Sequence, residues 1–132
     1  MILTANPYEQ YRQQGVMTAS PAELVVMLYD GCVRQLKLAI LTIEEEDIEA
    51  SNKALLKAQA IVQELSNSLD KQYEISNELL RIYEFVENTI YETITSHNAD
   101  DLRPLVEIMQ ELHETWVQVA RSTRVTSLTL ED

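Results

Sequence analysis

SPAELVVMLYDGCVRQLKLAILTIEEED, residues 20–47, decides the fold. Ser20-Pro21-Ala22-Glu23 has the form of a capping box with proline at the first helical position: the serine hydroxyl accepts a backbone N–H while Glu23 reaches back to the serine. Beyond it the apolar residues recur at helical spacing until the run Glu44-Glu45-Glu46-Asp47 interrupts them, so the pattern predicts a helix over residues 21–45. Two glycines and three prolines among 132 residues leave little punctuation for sheet or long loops, and helix formers dominate the rest.

Working outward, Asp47 suits the N-cap of a second helix over 48–69, whose Ile48, Leu55, Val62 and Leu69 recur every seven residues with Ala58 and Leu65 between them. A break at Asp70-Lys71-Gln72-Tyr73 precedes a third helix over 75–97, started near Glu74 or Ser76, with Asn98 as its left-handed terminal residue. Asp100 or Asp101 caps a fourth helix over 102–121, because Pro104 then falls in the first turn, where its missing N–H costs little. Such short connections make sequential helices neighbours, and the expected fold is all-α: an antiparallel up-down four-helix bundle over 20–121. Residues 1–19 form a separate N-terminal lid segment with a short helical turn, and 122–132 a flexible C-terminal tail.

The first helix carries more apolar surface than one core stripe needs. Leu24, Val25, Val26, Leu28, Tyr29, Cys32, Val33, Leu36, Ala39, Ile40 and Ile43 cover roughly 200° of its circumference, and the fourth is nearly as broad. On the third, Leu80, Phe85 and Tyr91 fall outside the stripe of Leu79, Ile82, Val86, Ile90 and Ile94. Two accounts stand: a broadly packed bundle, or an apolar surface covered by something else. In the second, Tyr8 and Tyr11 of NPYEQY, residues 6–11, are the nearest cover, since tyrosines three apart on a helical turn present one amphipathic face. Gly31 marks a close helix crossing or the approach of a bound segment's backbone; Trp116 packs in the core or anchors a partner.

Catalytic and metal-binding readings find no support. A di-iron bundle needs Glu-x-x-His, but Ile94 and Gln110 stand three residues before His97 and His113. Cys32, the single cysteine, reads as a small buried side chain, and there is no glycine-rich phosphate loop or Cys-x-x-Cys. Neither enzyme activity nor a cofactor is expected. A formal charge of -12 opposes nucleic acid and anionic membranes, and no run is long and apolar enough to span a bilayer. The expectation is a soluble, unexported protein.

Several stretches in order carry a resemblance over nearly the whole chain: Asn6-Pro7-Tyr8-Glu9-Gln10-Tyr11, Thr18-Ala19-Ser20-Pro21-Ala22-Glu23-Leu24, Met27-Leu28-Tyr29-Asp30-Gly31-Cys32, Lys57-Ala58-Gln59-Ala60-Ile61-Val62-Gln63-Glu64-Leu65, Leu69-Asp70 and Glu111-Leu112-His113-Glu114-Thr115-Trp116. Together they resemble the FliS family of flagellar export chaperones. The chain departs from many relatives at Val86-Glu87-Asn88-Thr89, where they carry a basic pair, and at Ile108, where they carry glycine. The resemblance implies a cytoplasmic chaperone, monomeric or weakly dimeric, that binds the C-terminal segment of flagellin, prevents premature polymerisation and aids type III export, with the export apparatus and regulatory proteins as further partners. The partner-binding residues expected on this reading are Tyr8, Tyr11, Val26, Tyr29, Val33, Ile40, Leu80, Phe85, Tyr91 and Ile108. The alternative is a self-associating structural or regulatory bundle.

Overall fold

In the computed structural model, which describes residues 20–70 and 72–131 with side chains as far as Ser122, four long helices follow one another through short turns. They are α1 (Pro21–Glu44), α2 (Ile48–Asn67), α3 (Glu74–Ser96) and α4 (Arg103–Glu131), with a single 3-10 turn, Ala99–Asp101, between the last two. This is the expected up-down bundle. The N-terminal lid, Tyr8 and Tyr11 lie outside the described residues.

The local chemistry at the start is as the sequence predicts. Glu23 N–H donates to Ser20 Oγ at 3.2 Å and Ser20 N–H to Glu23 Oε1 at 3.4 Å, closing the capping box of α1. Asp47 caps α2 by accepting from Ala50 N–H at 3.1 Å. Other ends differ. The left-handed residue that ends α3 is His97, at φ 53°, and not Asn98; Asn98 instead opens the 3-10 turn by accepting from Asp100 N–H. Asp100 does not cap α4: its carboxylate holds Arg103 Nε at 3.0 Å, leaving the 3-10 turn to lead the chain into the helix. Nor does α4 stop at Arg121. Its backbone stays helical to Glu131 through the segment expected as a loose tail, so backbone continuity prevails there over the weak helix preference of its threonines.

Two arrangements of neighbours matter for the site. Along α1 and α2 the backbones approach closely, and small side chains line the burial there: Gly31, Ala39, Ser51, Ala54 and Ala58 are all inaccessible to solvent or nearly so. Gly31 therefore serves a close helix crossing, where a Cβ would hold the helices apart. α1 also packs closely on α4, and α2 on α3. α3 and α4 come into no comparably close approach among the described residues. The larger side chains Tyr29, Tyr83, Leu28, Leu36, Leu55, Leu65, Ile90, Leu102, Leu105 and Met109, all fully buried, fill the centre. Each contributes about 1.5–3 kcal/mol as apolar surface leaves water.

Candidate protein-binding seams

α4 borders two seams, one with α1 and one with α3. At 100° per residue, Val106, Gln110, His113 and Val117 share one flank of α4, while Ile108, Leu112, Thr115 and Val119 share the other. The first flank faces α1. Two adjoining depressions run along that seam, one of about 330 Å³ lined by Lys37, Ile40, Arg103, Val106 and Glu107, the other of about 300 Å³ lined by Asp30, Val33, Arg34, Lys37, Gln110, His113 and Glu114. Ion pairs staple their rims: Arg34 to Asp30 at 2.9 Å, and Arg103 to Glu44 at 2.9 Å. These pairs are exposed and contribute little to stability.

The second flank faces α3. There the lining is apolar: Ile82, Ile108 and Leu112 are half-buried against the core, and Phe85, Ile75 and Val119 remain 51%, 58% and 40% exposed. Because the two helices do not close on each other, this seam is left with uncovered hydrocarbon along its length. Exposure of that kind is how an interaction surface differs from a core stripe.

The residues expected to bind a partner are not gathered into one patch. Val26 and Ile40 are half-buried on the side of α1 toward α4, and Ile108 and Phe85 belong to the α3–α4 seam. Leu80, half-buried, and Tyr91, 70% exposed, lie on the opposite flank of α3, toward α2. Tyr29 has to be withdrawn from the surface, since it is fully buried, while Val33, 8% exposed, lines only the floor of the α1–α4 depression. Their arc of α1 looks into the bundle, where the broad apolar face is used to meet two neighbours and the centre at once. Ile75, Ile82, Leu112 and Val119 line the α3–α4 seam and are not among the residues expected to bind. Their signal lay in the breadth of the apolar arcs on the third and fourth helices.

Behind both seams stands a buried polar link. The hydroxyls of Tyr29 on α1 and Tyr83 on α3 share a hydrogen bond across the centre, with ring centroids 6.4 Å apart. The half-buried Trp116 of α4 packs against the same core cluster. Burial raises both tyrosines above the ordinary phenol range and pushes the thiol of fully buried Cys32 up to about 12, so all three stay neutral and unreactive. Of the histidines, His113 lines the α1–α4 seam, while His97 Nε2 is buried without a hydrogen-bond partner among the described residues. No group of three or more His, Cys, Asp or Glu among the described residues could hold a metal ion, and no described helix is long and apolar enough to cross a membrane.

The described residues thus form an all-helical bundle with apolar seams beside one long helix and polar groups at its centre used for packing. Comparison with known proteins gives the family. The profile described as "Flagellar protein FliS" matches residues 4–123, and the chain belongs to the FliS family. It is 34% identical over 119 residues to the flagellar secretion chaperone FliS of Bacillus subtilis, covering 90% of each chain. With the Salmonella typhimurium protein of the same name the identity is 29% over 124 residues, covering 89% of this chain and 92% of the other. The fold is similar to a solved structure described as a flagellar chaperone from bacteria, with a TM-score of 0.73 at 17% identity over 87% of this chain and 95% of that one.

Proposed function

We propose that this chain is a cytoplasmic flagellar export chaperone that binds the C-terminal segment of flagellin, keeps it from polymerising early and aids its type III export. The observation that carries the reading is the uncovered apolar seam between α3 and α4 in a chain of the FliS family. A terminal segment that is disordered alone and forms amphipathic helices on assembly is the matching cargo. Its apolar face would lie in such a seam and be unavailable to other flagellin molecules. The cost of ordering it, about 2–5 kcal/mol or more, keeps the complex separable at the point of export. Chemistry on the cargo has no part in this function. Tyr8 and Tyr11 take the place of a cover that leaves or rearranges as cargo binds.

Calorimetric titration with a synthetic peptide of the flagellin C-terminal segment tests it. One-to-one binding with a strongly negative heat-capacity change is the expected result, and a chain starting at Thr18 reads whether NPYEQY opposes or assists. No heat with the peptide or with monomeric flagellin, together with a molecular mass that rises with concentration, would replace this reading by self-association.

A further inference from the structure

We propose that α3 is the movable wall of the seam, swinging away from α4 about its own C-terminal end, with the Tyr29–Tyr83 hydroxyl bond as the latch that holds it closed. The inference concerns the bundle itself and does not depend on what occupies the seam.

Four observations converge on it. At its C-terminal end α3 is joined to α4 through the left-handed His97 and the 3-10 turn, against which its backbone packs closely. At its N-terminal end it is joined to α2, not α4: Ser76 Oγ donates to Asp70 C=O at 2.6 Å, tying the first turn to the loop after α2, and Tyr73 at the N-cap offers no side-chain cap. The side of α3 toward α4 carries the seam whose exposed Ile75 and Val119 both fall in the half far from the turn. On the side toward α2, the middle of α3 borders a largely polar depression of about 340 Å³ lined by Gln63, Ser66, Asn67, Leu80, Glu84 and Glu87.

Between pivot and free half stands Tyr83. Its hydroxyl reaches Tyr29 on the diagonally placed α1, whose other neighbour is α4. This is the polar connection that binds α3 to a helix it does not closely approach. A directional bond between two hydroxyls is suited to a latch because it is lost over a small displacement, whereas apolar contact decays gradually.

Hydrogen–deuterium exchange on the full chain tests the proposal. In the unsubstituted protein, amides over residues 75–86 should exchange faster than those over 87–96 and faster than those at the centres of α1 and α2. In Tyr83→Phe, which keeps the ring and removes the latch, exchange over residues 75–86 should accelerate about fivefold to tenfold, the equivalent of one buried hydrogen bond, with α1 and α2 unchanged. Tyr29→Phe should reproduce the pattern, since it removes the same bond. Equal acceleration in all four helices would make the bond an ordinary contribution to global stability and overturn the latch. Uniform protection along α3 in the unsubstituted protein, equal to that of α1 and α2, would overturn the swing, and that reading needs no variant to fold.

Discussion

The α1–α2 side and the α3–α4 side of the bundle are faced with side chains of different size and end differently. On the first, glycine, alanine and serine let two backbones come together along their contact line, while Leu38, Leu41, Ile48 and Leu56 stay exposed on the outer faces of the pair. On the second, isoleucine, leucine, phenylalanine and valine face each other across a wider gap and stay partly wet. Side-chain size, more than hydrophobicity, separates the side that holds the fold from the side with surface to offer. A helix pair closes when its facing residues are small, and a pair faced with bulky residues buries them in part and leaves the remainder for a third element.

The comparison breaks most visibly at the centre of the closed side. Leu28→Ala, at a fully buried position of α1, should destabilise by about 2–5 kcal/mol in urea unfolding, because the hydrocarbon is lost and the rigid surroundings cannot collapse into the space. Ala58→Leu, also fully buried, should cost about 1–3 kcal/mol by wedging α2 out of place; a neutral result would mean that the close approach is dispensable. Removing the capping hydroxyl with Ser20→Ala should cost about 0.5–2 kcal/mol, checked by the same unfolding curves. The open side should respond differently. Phe85→Ser with Val119→Ser should destabilise by about 1–2 kcal/mol in sum, less than Leu28→Ala, since both side chains are only partly buried, while weakening the flagellin peptide in calorimetry.

The smallest effect is electrostatic. Burial, together with the neighbouring Glu84, raises the carboxyl of Glu87 on the α2 side of α3 above its ordinary range. A carboxyl raised on folding favours the folded state below its unfolded pKa, and that advantage disappears as pH rises through the folded value. Glu87→Gln should therefore raise the melting temperature slightly at neutral pH and lose that advantage on acidification. A constant difference across the titration would assign it to packing.

Much of this was legible before any coordinates. Ser20 and Glu23 specify a helix start through bonds that reach three residues along the chain, and such local chemistry is written in the sequence itself. So are the acidic break at Asp47 and the small-residue crossing at Gly31. Non-local results are another matter. The breadth of the arc on α1 is a property of one helix, but whether Tyr29 points at solvent or at Tyr83 depends on where α3 lies, and no periodicity within α1 carries that. In the same way, the pattern on α3 puts Leu80 and Phe85 on opposite sides of the core stripe without showing which neighbour each side meets. At residues 97–101 His97 and Asn98 were both able to take the left-handed conformation, and the need of the 3-10 turn for an opening acceptor assigns Asn98 to that task.

The turn that joins α3 to α4 also sets a lever. With 23 residues at about 1.5 Å each, α3 is an arm about 35 Å long. A tilt of about 5° at the His97 end, small enough to be shared among a few backbone torsions, would carry the Glu74 tip about 3 Å sideways, much of the space that one additional methyl or methylene layer needs. Up-down topology brings Ser20 to that same end of the bundle. A gap there would widen where the N-terminal residues are attached, and the bundle would change its aperture with almost no change in secondary structure.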